Sequence, residues 1–155
     1  METFAQDLSL LPRLLAAFVL AGFIGFEREM TRRPAGLRTH ILVGMSSALF
    51  MVLAELIVEN FKDLSDRIRL DPVAVLGAVV SGISFLGAGA IFSSGRSGKS
   101  KGLTTAASIL GTAGVGITCG LGHFPLAAMV TLLFFVTLRM SAWIEARGRG
   151  EPDDE

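Results

Sequence analysis

Tyrosine is absent from the 155 residues, and cysteine occurs once, at Cys119. A single cysteine excludes an internal disulfide and any paired-thiol motif. Cys119 lies inside an apolar run and reads as a small packing residue rather than a reactive thiol. An excess of either charge is also missing: 14 basic and 14 acidic residues cancel, so no bulk field draws nucleic acid to the chain. Catalytic signatures are lacking too. There is no G-x-S-x-G elbow, no H-E-x-x-H pair and no P-loop, so no enzymatic activity is expected. The glycine-rich, basic stretch from Ser93 to Gly102 lacks Walker spacing and reads as a flexible loop near anionic lipid. The first residues carry Glu2 and Asp7 with no basic leader region, so no signal peptide is expected.

What is present is apolar length. Half the residues are hydrophobic and 18 are glycine, and the mean hydropathy is +0.59. A membrane span needs about 20 predominantly apolar residues. Five stretches qualify: 8–26, 37–58, 72–92, 103–121 and 125–143. The expected fold is an all-α membrane bundle of five transmembrane helices forming one domain over 1–145, with 146–155 a disordered acidic cytoplasmic tail. Asp71-Pro72 reads as an N-cap followed by proline at the first helical position. Gly122 and Pro125 read as a stop and restart that fold the last two spans into a hairpin. Trp143 stands where an interfacial aromatic belongs.

Lysine and arginine set the expected orientation. Arg28, Arg32, Arg33, Arg38, Arg96, Lys99, Lys101, Arg139, Arg147 and Arg149 fall on one side of a five-span chain. Lys62, Arg67 and Arg69 fall on the other, among acidic residues. This bias predicts the N-terminus outside and the C-terminus in the cytoplasm.

The densest charge lies between spans 1 and 2, from Gly25 to Gly44. Only 13 uncharged residues separate Arg13 from Glu27. At about 1.5 Å each they cover roughly 20 Å, against a hydrocarbon core of about 30 Å. Some charge must enter the hydrocarbon layer, snorkel out of it or thin it. Glu27 and Glu29 point about 200° apart on a helix and cannot share one site unless the helix ends there. Arg38 opens span 2, where a cation opposes the helix dipole and calls for an anionic partner. Two readings stand for Glu27, Arg28, Glu29, Arg38 and His40: a salt-bridge network that fixes topology, or an ion or partner site at the membrane edge. Glu27, Arg28, Glu29 and Arg38 are expected in one partly buried network, which marks a site; a solvated cluster would be a topology anchor only. Glu29 also precedes Arg33 by four, a favourable spacing. His40 reads as an interfacial hydrogen-bonding residue, since no second His or Cys has ligand spacing.

Spans 3 and 4 are rich in Gly, Ser and Thr, which lets membrane helices approach closely. Ser46, Ser47, Ser81, Gly82, Ser84, Ser108 and Thr112 are expected at one depth, as a midplane layer of hydroxyls and small residues. Gly82 and Gly87 are expected in close packing, and a homodimer is the expected assembly because C2 dimers are commonest. On the outer side, Glu55 reads as an interfacial residue or a partner of Arg13, and Asp71 as a helix cap. Both are also candidate cation ligands there.

Three ordered blocks carry a family resemblance. E-R-E with R-P-A-G-L-R-T-H, then V-S-G-I-S-F-L-G-A-G-A from Val80 to Ala90, then G-L-T-T-A-A-S from Gly102 to Ser108 resemble the membrane domain of the MgtC/SapB family over roughly Leu14 to Leu138. The resemblance implies a multi-pass protein of the bacterial inner membrane linked to magnesium limitation. It implies either a regulator of a membrane partner such as the ATP synthase, or a transporter or channel for magnesium or another cation. Many members carry a soluble domain after the last span; this reading expects none here. Magnesium sites use one or two carboxylates and keep several waters, but no acidic residue falls at the expected midplane. The sequence therefore leans toward the regulator.

Overall fold

The computed structural model describes residues 2–61, 71–94 and 102–148. Among them are five helices: α1 (Glu2–Met30), α2 (Leu37–Asn60), α3 (Pro72–Ser94), α4 (Leu103–Gly120) and α5 (Phe124–Gly148). The first four are long and apolar enough to cross a membrane; the apolar stretch of α5, Phe124–Met140, is shorter. The chain is a multi-pass helical membrane protein. Residues 146–148, assigned by the sequence to the tail, continue α5. The basic residues Lys62, Arg67, Arg69, Arg96, Lys99, Lys101 and Arg149, the side chains of Trp143 and Arg147, and the acidic end lie outside the described residues.

Helix ends follow local chemistry. Asp71 Oδ1 accepts the Val73 N–H at 2.8 Å, capping α3. Gly122, at φ 80°, takes the left-handed conformation that closes α4. Its N–H donates to the Cys119 carbonyl and that of His123 to the Thr118 carbonyl, the paired bonds of a Schellman ending. α1 runs through Pro12 and past its apolar stretch to Met30. It ends the same way, with Arg32 N–H to the Glu29 carbonyl and Arg33 N–H to the Arg28 carbonyl. Here the left-handed position is held by Arg32, at φ 51°, instead of glycine.

Packing centres on α4, which touches every other helix. Of its span 56% is buried, against 11% for α3, which lies at the periphery. Without a hydrophobic drive between helices in lipid, close van der Waals contact must hold them together. Small residues four apart make it here. Ala17, Ala21 and Gly25 of α1 face Gly44 and His40 of α2, and a Cβ on Gly25 would come within 2.8 Å of the His40 Cβ. Gly116 lies against the Gly44 carbonyl and Gly120 against that of Ala48, so α2 and α4 run parallel, backbone on backbone. The core between these helices and α5 gathers Ala17, Ile24, Ala48, Val115, Cys119, Ala127 and Leu138.

Of the two span 3 glycines expected in close packing, only Gly87 finds a neighbour within this chain. A Cβ on Gly82 would meet nothing within 4 Å, whereas one on Gly87 would touch Ala106 of α4 at 3.4 Å. Within this chain the backbone-close seams lie on α1, α2 and α4.

Candidate functional site

The helices α1, α2 and α4 converge where α1 hands over to α2. Because α1 continues beyond its apolar stretch, Glu27 and Arg28 enter the protein interior, 2% and 1% exposed. Arg28 Nη1 lies 3.6 Å from Glu27 Oε2. Neither Glu27 oxygen accepts a hydrogen bond among the described residues. The pair is an ionic contact without hydrogen-bond geometry, and Arg28 offsets the carboxylate charge. Thr31 Oγ1 fastens the turn beneath it by donating to the carbonyls of Glu27 and Arg28, at 3.0 and 3.2 Å.

Glu29 turns the other way, as the 200° separation requires. It is exposed, and its Oε2 accepts the Leu37 N–H at 3.0 Å. The N-cap of α2 is Gly36, which has no side chain to satisfy that donor. Glu29 therefore caps the next helix, placing negative charge at the positive end of its dipole. A Cβ on residue 36 would come within 1.8 Å of Glu29 Oε2, so a side chain there would require the carboxylate to shift.

Arg38 is exposed and lies at the wall of an open cleft with Glu29, Gly36 and Thr39. The single four-residue network expected from the sequence is corrected accordingly. Glu27 and Arg28 form the buried pair, Glu29 is a cap, and Arg38 projects to the surface.

His40 is wholly buried. Its Nδ1 is 2.8 Å from the Gly36 carbonyl, which can only accept, so Nδ1 carries a proton. Its Nε2 is 3.1 Å from Ser108 Oγ, which lies 2.8 Å from the Thr105 carbonyl. With His40 neutral, Ser108 gives its one proton to Nε2. With His40 charged, Nε2 donates to Ser108, which donates onward to Thr105. His40 thus ties the start of α2 to α4.

The midplane layer divides in two. Ser47, Ser108 and Thr112 are buried, while Ser46, Ser81, Gly82 and Ser84 are exposed. Thr112 donates to the Ser108 carbonyl at 2.8 Å. Ser46, Ser47 and Gly82 line a cavity of about 270 Å³ between α2 and α3.

At the opposite end Arg13 pairs with Glu55 and donates to the Gly120 carbonyl at 3.0 Å, one side chain joining α1, α2 and α4. Asp71 is occupied in its cap. Sequence reasoning left Glu55 between an interfacial residue and a partner of Arg13, and missed the Gly120 carbonyl, since a backbone acceptor leaves no mark in sequence. It also left out the packing seam on α2 and all of the α1 seam but Gly25. Their signal was present in the four-residue spacing of Ala17, Ala21 and Gly25, and of Gly44 and Ala48. Among the described residues, no three His, Cys, Asp or Glu side chains cluster as metal ligands.

A family model described as the MgtC family matches residues 14–147. An uncharacterized protein of Haemophilus influenzae is 36% identical over 140 residues, covering 90% of this chain and 58% of its own length. An Escherichia coli (strain K12) protein named "Putative magnesium transporter YhiD" is 40% identical over 128 residues, covering 83% and 58%. Protein MgtC of Brucella abortus (strain 2308) is 42% identical over 119 residues, covering 77% and 45%. The chain thus spans about half the length of the curated relatives it matches. No solved structure matches it.

Proposed function

The chain belongs to the MgtC family, and from this we propose that it is a membrane-embedded regulator linked to magnesium limitation, acting on a membrane partner, with the ATP synthase as the candidate. Its place is the bacterial inner membrane. The observation that carries the regulator reading is Arg28 beside Glu27 in the interior, 3.6 Å away. The one buried carboxylate at the site already has a cation, supplied by its own chain. Close packing supports the same reading. Gly116 on Gly44 and Gly120 on Ala48 bring backbone against backbone, which leaves little room for a hydrated ion between α2 and α4.

A second reading, magnesium transport, is favoured by the name of the Escherichia coli relative and by the two Glu27 oxygens that accept no hydrogen bond. A cation that displaced Arg28 would find them free. Magnesium flux into liposomes holding the purified chain separates the two readings. The regulator predicts flux equal to that of protein-free liposomes. Saturable flux that Glu27→Gln abolishes would establish the transporter.

A further inference from the structure

We propose that His40 is an acid-sensitive latch: a proton taken up there keeps α2 tied to α4 but pushes α1 away from α2, loosening the end of the bundle that carries Glu27 and Arg28. The ring is wholly buried. Three hydrogen bonds meet around it: Nδ1 with the Gly36 carbonyl at 2.8 Å, Nε2 with Ser108 Oγ at 3.1 Å, and Ser108 Oγ with the Thr105 carbonyl at 2.8 Å. Three bonds need three protons. A neutral imidazole and a serine hydroxyl bring two, so one of the three bonds is always unfilled. An imidazolium brings the third and completes the chain. Protonation therefore does not break the tie between α2 and α4.

The repulsion falls on α1. A Cβ on Gly25 would stand 2.8 Å from the His40 Cβ, and Arg28, one turn further along α1, acts on the ring through its charge. Glu27 lies 3.6 Å from Arg28 Nη1 and balances one positive charge, not two. A protonated His40 adds the second between side chains that are both buried, where like charges repel far more than in water. No other group offsets it. Among the described residues no second carboxylate is buried. Glu29 is exposed and holds the Leu37 N–H, Arg38 is exposed and positive, and Arg33 in the loop adds to the same sign. The only titratable side chain of α4 is Cys119, eleven residues beyond Ser108, and α3 has none. α5 does not pack against α2. The latch rests on the buried pair at this end and holds for a regulator or a transporter alike.

The test is thermal unfolding of the full chain in micelles at about pH 7.5 and about pH 5.5, on either side of the pH near 6.5 at which an unfolded histidine takes up its proton. The parent chain should melt about 3–5 °C lower at the acid pH than His40→Gln does, relative to each one's value at the higher pH. The double variant Glu27→Gln with Arg28→Met keeps His40 and removes the facing charge, so less than half of that acid loss should remain in it. His123, exposed at the other end, is present throughout. Single thiols in a Cys119→Ala background show which seam moves. Gly22→Cys, facing Ile41 across α1 and α2, should be alkylated at least about threefold faster at the acid pH, scaled to the exposed Leu133→Cys. Thr112→Cys, buried on α4 against Gly44, should not change. An acid loss equal in the parent and His40→Gln would overturn the proposal, as would a full acid loss in the double variant, or equal acceleration at both buried thiols.

Discussion

Glu29 shows how one side chain changes meaning between sequence and structure. Its spacing to Arg33 suggests a pair within one helix. The chain instead reverses at Arg32, and the carboxylate reaches forward to the Leu37 N–H. In its present position the carboxylate lies where a Cβ on residue 36 would stand. Gly36→Ala should push the carboxylate away and cost about 0.5–2 kcal/mol, the usual worth of an N-cap. Glu29→Ala should cost a similar amount, and the double variant little more than either alone, because both remove the same bond. Denaturant unfolding in micelles measures the cycle; fully additive losses would mean the two residues act independently. The presence of charge between α1 and α2 was legible in the sequence. Its partition was not, because burial of Arg28 and exposure of Arg38 depend on where α1 stops turning, and that is fixed by a left-handed arginine with no sequence signature.

Among the elements, the helices were legible and their seams only partly so. Apolar length and the cap residues Asp71 and Gly122 mark the helix positions. Glycine content drew attention equally to spans 3 and 4, but glycine records only permission to approach, not which helix accepts it. α4 uses that permission at Gly116 and Gly120, and leaves Gly114 with nothing within 4 Å. The two classes predict opposite outcomes. Gly116→Ala places a Cβ 2.2 Å from the Gly44 carbonyl and should destabilise by about 1–3 kcal/mol, as overpacking does. Gly114→Ala should be neutral or stabilise by up to about 1 kcal/mol, through helix propensity alone. Thermal unfolding of the two variants side by side reads the difference. Equal effects would mean that α2 and α4 are not in backbone contact.

For the whole molecule, three helices are fastened at both ends: Arg13 joins Glu55 and the Gly120 carbonyl at one, and at the other His40 joins α2 to Ser108 of α4 while Glu29 of α1 holds the Leu37 N–H of α2. The charge bias read from the sequence predicts that the Glu27 end of this bundle faces the cytoplasm. A reporter fused after Met140 should then be active only on the cytoplasmic side; periplasmic activity would invert the arrangement. The central claim is that the buried charges at that end neutralise each other, so that Glu27 holds an internal cation rather than an external one. Removing one member of a buried ion pair costs about 3–5 kcal/mol because its partner is stranded, whereas a surface pair is worth at most about 1. The decisive measurement is the unfolding free energy of the full chain carrying Arg28→Met, Glu27→Gln or both, with Arg38→Met as the surface control. The account predicts a loss of about 3–5 kcal/mol for Arg28→Met, substantial recovery in the double variant and little change at Arg38. A mild Arg28→Met with strictly additive effects would contradict it.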